Sequence, residues 1–318
     1  MSWHTRATTR RGEGGIVLVF STSDKGGAGR SVTSCNIAYR LCLSGRNVAY
    51  VDFDFGSPTA GALFEIGAME RGTTTGGTHS YLLGECGTAA GVDVGRATDR
   101  TALARVGPRS GRLVLFPGDE GGAEFLACDD AMVTRCVELL VRLDQEFSVV
   151  VVDLSAGRSI ALEIALNATA QLRQHTVRWL IFHRWTRQHI LAASGLVYGP
   201  NGLLQTGAIY GHDRDELLGS LRYVRTAVPA TNSHLSAQRA AQAAWLQEQD
   251  AALRRLATAC RLGTTAVLGA TPTEPVLQCR EQLILDSDVN AHIANIETAQ
   301  AYIELARRLI DIATWEGL

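Results

Sequence analysis

The stretch Ser21-Thr22-Ser23-Asp24-Lys25-Gly26-Gly27-Ala28-Gly29-Arg30-Ser31-Val32-Thr33 carries the clearest chemistry in the chain. It follows the apolar run Ile16-Val17-Leu18-Val19-Phe20 and precedes a segment of helical spacing, the setting in which a glycine-rich loop cradles phosphate. Glycines let the backbone turn without Cβ clashes and leave N–H groups free to meet anionic oxygens. A helix starting near Arg30 adds the positive end of its dipole. Ser31 then supplies a hydroxyl to a Mg²⁺ ion bridging the β and γ phosphates of a triphosphate. The competing reading is a strand-to-helix turn with no ligand; the serine and the acids downstream count against it.

Two acidic segments complete the set. Val51-Asp52-Phe53-Asp54-Phe55-Gly56 closes a second apolar strand at the carboxyl edge, where open α/β sheets place their ligands. Alternation puts Asp52 and Asp54 on one side if the strand still runs there. The plainer account of such a pair is a solvated strand-end cap. Val149-Val150-Val151-Val152-Asp153-Leu154-Ser155-Ala156-Gly157 ends the most apolar strand candidate on Asp153, a carboxylate placed to hold a Mg²⁺-bound water.

Together these segments resemble the MinD/ParA-like ATPases, the deviant Walker A class of P-loop proteins, whose loop reads KGGxGK[ST]. Lys25-Gly26-Gly27-Ala28-Gly29 and Ser31 match that pattern, and Arg30 stands where the family has its phosphate-gripping lysine. The resemblance implies a phosphate cradle over Gly26, Gly27, Ala28, Gly29, Arg30, Ser31 and Val32, with ATP and Mg²⁺ as cofactors. It implies a catalytic role for Lys25, which in the family reaches a partner's phosphates across a nucleotide-sandwiched homodimer. By the same resemblance Asp54 organises the attacking water, Asp52 lies near Mg²⁺ together with Ser31, and Asp153 serves both metal and hydrolysis. Val267-Leu268-Gly269-Ala270-Thr271-Pro272 resembles the late strand and loop of the family, with Pro272 and Thr273 beside the base. The family has proline before Gly157, where this chain has Ser155-Ala156. Arginine is longer and planar compared with the compact ammonium of lysine, so Arg30 bears directly on turnover.

Lys25 is the only lysine in the chain; every other Lys/Arg position is arginine. A general bias toward arginine explains most of these, and sparing a lysine at position 25 points to a need for an ammonium there. The formal net charge of −2 gives no overall pull toward nucleic acid, and Arg10-Arg11 and Arg222/Arg225 are too short as basic runs for a nucleic-acid groove. Non-specific DNA binding is therefore not favoured. Seven cysteines without a CxxC pair suit a reduced, cytoplasmic protein. The first cysteine after Asp153 is Cys260, which argues against the shared iron–sulfur cluster of related reductases. No apolar stretch is long enough for a transmembrane segment. His183, Trp185 and His189 read first as partly buried structural residues.

The elements that must position these groups alternate. Strands are expected at 16–20, 47–51, 113–116, 147–152, 176–182 and 265–268, and helices at 32–43, 58–66, 96–106, 130–143, 237–260 and 289–312. A short helix is expected at 81–83 and a glycine-rich loop at 198–214. This alternation predicts an α/β fold with a doubly wound, mostly parallel sheet and helices on both faces. The organisation expected is a polar leader, 1–15, followed by a single nucleotide-binding domain, 16–318. In the last helix, Ile293, Ile296, Ile303 and Ile310 fall near one face, which is expected to pack on the core. The function implied is an ATP-binding switch whose dimer couples slow hydrolysis to control of a protein partner. The alternatives are a non-hydrolysing ATP-bound scaffold and, more distantly, a small-molecule synthetase or kinase with its acceptor site in residues 160–262.

Overall fold

The computed structural model describes residues 16–105, 107–229 and 240–316. The expected leader, 1–15, and the first residues of the helix expected at 237–260 lie outside them. The strands are β1 (Val17–Thr22), β2 (Val48–Phe53), β3 (Val92–Asp93), β4 (Leu113–Phe116), β5 (Val149–Leu154), β6 (Thr176–Arg184), β7 (Leu221–Val228) and β8 (Val267–Pro272). They form one sheet in the order β3-β4-β2-β5-β1-β6-β7-β8. Every neighbouring pair is parallel except β3 with β4 at the edge. From β1 the chain winds outward to β2, returns to insert β5 beside β1, and then winds the other way through β6, β7 and β8. The crevice at the carboxyl end of β1 is therefore the switch point of the topology.

The central strands read as unbroken apolar runs because both faces of the sheet are covered. Leu18 and Phe20 of β1 enter one core together with Leu139, Leu140 and Leu166. Val17 and Val19 enter the other with Ile37, Leu41, Tyr302 and Leu309. Helices Asp130–Glu146 and Ile160–Gln171 cover the first face; Arg30–Leu43 and Ile296–Ile310 cover the second. Burying each large apolar side chain contributes about 1.5–3 kcal/mol, so the two layers rather than helix propensity hold these segments.

Several expected elements differ in detail. The helix expected at 58–66 shrinks to Ala60–Leu63. The one expected at 96–106 divides into Val94–Ala97 and Thr101–Ala104, because the Thr98 hydroxyl turns back to the Phe64 carbonyl and then accepts from the Arg100 N–H. The loop expected at 198–214 contains a helix, Leu203–Ile209, with Leu203 and Leu204 buried. The last helix is interrupted, leaving Asp286–Asn290 and Ile296–Ile310.

Of the four isoleucines expected to pack on the core, only Ile310 does so, at the end of the helix. Ile293, Ile296 and Ile303 are about half exposed, at 58%, 53% and 49%. Thr298, Ala299, Tyr302, Leu305, Ala306 and Leu309 form the buried side instead. The small residues in that set allow a close approach to the helix Arg30–Leu43.

Candidate functional site

β1 delivers the chain into the loop 23–29 at the switch point, and the helix Arg30–Leu43 leaves it. Gly27 and Gly29 both hold positive φ, 70° and 71°, a backbone state that costs a side-chain-bearing residue strain. Gly29 is the residue before the helix, and no side chain caps the first turn, so its leading N–H groups are left for an anion. The loop is pinned at three points. The Thr226 hydroxyl donates to the Ala28 carbonyl at 2.6 Å, the Ser23 hydroxyl to the Lys25 carbonyl at 3.0 Å, and the Gly157 N–H to the Ser23 carbonyl at 2.7 Å. On the rim, Asp24 pairs with Arg158 at 2.9 Å, and Arg158 also donates to the carbonyls of Gly195 and Pro200. Lys25 is exposed at the crest of the loop.

Arg30 is turned inward. Its Nε donates to Asp153 Oδ1 at 2.6 Å, and its Nη2 donates to Asp54 Oδ2 at 2.8 Å and to Ser31 Oγ at 3.3 Å. Only 7% of the arginine side chain is exposed, against 2% for Asp153 and 22% for Asp54. The other oxygen of Asp153 accepts from the Tyr50 hydroxyl at 3.0 Å. Asp52 and Asp153 are paired in the β2–β5 register, yet Asp52 points elsewhere. Its oxygens accept from the backbone N–H groups of Asp54 and Ala60, both at 3.1 Å. Burial, reinforced by the charge of Asp153, pushes its carboxyl up to about 7. Asp52 is thus a buried cap rather than the solvated one expected of a strand end. The Asp54 carboxyl is also raised by burial, with Arg30 pulling the other way.

Ser31, Asp54 and Asp153 all face the guanidinium of Arg30, and Asp52 is spent on backbone. Mg²⁺ does not fit this arrangement of donors: to reach Asp153 or Asp54 it would have to displace a buried cation already held by both. Among the described residues, no cluster of three or more His, Cys, Asp or Glu is placed to hold a metal ion.

Two connected recesses flank the loop. One of about 150 Å³ is lined by Gly26–Val32 together with Asp54 and Glu281. The other, about 290 Å³, is lined by Val32, Thr33, Thr226, Pro272 and Tyr302. Gly27, Gly29, Val32 and Glu281 belong to both, so the pair has room for phosphates at the loop and a base beside Pro272. Thr273 is exposed. A larger cavity of about 640 Å³, lined by Arg173, His175, Trp179 and His212, lies at the amino edge of β6, away from the carboxyl edge where such sheets bind ligands.

Tyr50, Thr226 and Arg158 carry no motif signal and were not legible from sequence; only the fold brings them to the loop. Nor was Glu124, which accepts from the Ser155 hydroxyl at 2.7 Å. His183 and Trp185 are structural: His183 is buried with Nδ1 on the Arg184 carbonyl, and Trp185 Nε1 donates to Asp250 at 2.7 Å under the stacked Arg225. His189 is partly buried.

The fold so described is that of the MinD/ParA-like P-loop ATPases. The chain resembles MinD in the MinC:MinD cell division protein complex of Aquifex aeolicus at TM-score 0.57 and 20% identity, over 92% of this chain and 95% of that one. It resembles cobyrinic acid a,c-diamide synthase from Mycobacterium smegmatis, solved with an ATP analogue and magnesium, at TM-score 0.54 and 18% identity, covering 95% and 96%. A ParA family ATPase from Chlorobium tepidum gives TM-score 0.52 and 12% identity, covering 91% and 98%. At these identities the likeness speaks for the fold. No protein-family model and no curated protein matches the sequence.

Proposed function

We propose that this chain binds ATP on the loop Gly26–Val32 and acts as a nucleotide-dependent binding switch. In this reading ATP promotes a homodimer across the loop, Lys25 contacts the partner subunit's phosphates, and the dimer grips or releases a regulated protein partner. The observation that carries it is the loop itself. Two positive-φ glycines, an uncapped helix start and an anchored Ala28 carbonyl lie at the topological switch point beside a recess of about 290 Å³, an arrangement that supports a phosphate cradle. MinD, one of the structures this chain resembles, is solved in complex with MinC, which supports a partner-binding role. We place this work in the cytoplasm; no described helix is long and apolar enough to cross a membrane.

A second reading, a static ATP-bound scaffold, is favoured by the ion pairs that tie Arg30 to Asp54 and Asp153. A carboxylate held by a guanidinium is a poor organiser of an attacking water, which slows or abolishes turnover. An acceptor site of the synthetase kind calls for its own cavity beside the phosphates, and the 150 Å³ recess there is lined chiefly by the loop.

A single-turnover experiment with γ-labelled ATP and excess protein tests both. Retained label with prompt phosphate release supports the switch, and retained label without release supports the scaffold. No retention overturns the nucleotide reading altogether.

A further inference from the structure

We propose that Arg30 is a built-in cation of this site, standing where a divalent metal would otherwise sit, so that nucleoside phosphate is bound without Mg²⁺. The proposal rests on the nucleotide reading above, but its central contact does not. One guanidinium spans two carboxylates on two different strand ends, Asp153 at 2.6 Å and Asp54 at 2.8 Å, and touches the Ser31 hydroxyl at 3.3 Å. Ser31 and Asp153 are the oxygens expected to meet a metal, and Asp54 is the one expected to organise the attacking water.

The geometry favours arginine over the ion it displaces. A planar fork reaches acceptors on two sides at once, whereas an ammonium is a compact point charge that cannot span them. Asp153 is fixed from its far side by the Tyr50 hydroxyl, so it cannot swing away to meet a metal without breaking two hydrogen bonds. Expelling the guanidinium would strand a cation in a place where only 7% of it meets solvent, and a buried charge stripped of its partners is strongly unfavourable. Mg²⁺ in addition gives up its water shell reluctantly and demands close octahedral geometry. Among the described residues Nη1 of Arg30 has no acceptor, and the residue lines the recess at the loop. That leaves N–H groups for a phosphate oxygen while Nε and Nη2 stay on the carboxylates. The acids hold the arginine, and the arginine with the helix N-terminus holds the anion.

The first test compares binding of ATP by calorimetry in Mg²⁺ and in excess EDTA. Wild-type affinities are expected to agree within about threefold, and Arg30→Lys is expected to make binding metal-dependent by about tenfold or more. Wild-type binding that weakens about tenfold in EDTA overturns the proposal.

The second test needs no nucleotide. Mn²⁺ is titrated into nucleotide-free protein and followed by electron paramagnetic resonance, with folding of each variant checked by circular dichroism. The wild type is expected to leave Mn²⁺ free, whereas Arg30→Gln, which releases Asp54 and Asp153, and Arg30→Lys, whose ammonium holds only one of them, are expected to immobilise it. Equal Mn²⁺ binding by wild type and variants overturns the proposal. Loss of all ATP binding, with the Mn²⁺ contrast intact, instead removes the nucleotide reading and leaves the built-in cation standing.

Discussion

Tyr50 donates its phenolic O–H to Asp153 across the β2–β5 boundary at 3.0 Å, holding the carboxylate from the side opposite Arg30. Both partners are buried, and burial together with the charge of Asp153 raises the Tyr50 phenol well above its ordinary range. The hydroxyl is therefore a fixed donor at any working pH. Tyr50→Phe removes that donor without opening much space. It is expected to lower stability by about 1.5–3 kcal/mol, the range for a hydrogen bond to a charged group, read as a shift of the denaturant midpoint at constant slope. An unchanged midpoint would show that the Asp153 oxygen had found another donor.

Arg30→Ala leaves Asp54 and Asp153 facing each other without a cation. Breaking a buried pair costs about 3–5 kcal/mol, and the partial exposure of Asp54 puts the expectation near the lower end. Arg307→Ala, which removes an exposed partner of Glu304, is the control and is expected to leave the unfolding midpoint in place. Similar midpoints for the two variants would mean that the Arg30 pairs are as weak as surface pairs.

Asp52 makes stability depend on pH in a definite direction. Burial, then the charge of Asp153, lifts its carboxyl from the usual 3.8 to about 7 in the folded protein, with Asp54 adding to the repulsion and two backbone N–H groups opposing it. The folded chain therefore binds a proton that the unfolded chain has already lost. This stabilising contribution is fully present below the unfolded value and disappears as pH rises through about 7. Wild-type protein should lose stability between about pH 4 and about pH 7 more steeply than Asp52→Asn, which keeps its neutral form throughout. Chemical unfolding of both at several pH values reads the difference; parallel profiles would remove Asp52 as the cause.

Thr226→Val keeps the shape of a buried side chain on β7 and deletes the hydroxyl that anchors the Ala28 carbonyl. The expected loss of stability is about 1 kcal/mol. The loop also loses one of its three pins, so affinity for ATP is expected to fall by several-fold more than stability alone explains. Calorimetric titration of the variant against wild type checks it, and equal affinities would mean that Gly157 and Ser23 suffice to hold the loop.

What could be read from sequence divides by the range of the interaction. β1, the loop and the helix after it are contiguous, and glycine spacing, an apolar strand and a helical period report on one another over a few residues. The mostly parallel sheet was legible in the same way, from short apolar runs alternating with helices. β7 was missed, since Leu221-Arg222-Tyr223-Val224-Arg225 carries two arginines in a strand covered on both faces. Arg222 is nonetheless 2% exposed, its guanidinium shared among backbone carbonyls and stacked on Trp315, partners that no local pattern announces.

The last helix misled for a different reason. Its sequence offers two stripes, isoleucines on one and Ala299, Tyr302, Leu305, Ala306 and Leu309 on the other, and hydrophobicity alone favours the first. The neighbouring helix selects the second, where small residues admit its backbone. Position 30 was legible as a basic residue and illegible as a contact: its acids lie 24 and 123 residues away, and only the assembled sheet brings their strand ends together.

The Asp24–Arg158 pair on the rim is more than a third exposed at the arginine, so it adds little to the folding balance. Its geometry matters more than its energy. Arg158 also grips the carbonyls of Gly195 and Pro200 at the end of the helix Arg187–Tyr198, so the residue acts as a tie-rod between the lip of the cradle and the outer shoulder of the molecule. One side chain thus links the loop at Asp24, 134 residues before it, to the carbonyls around the end of that helix, 37 and 42 residues after it.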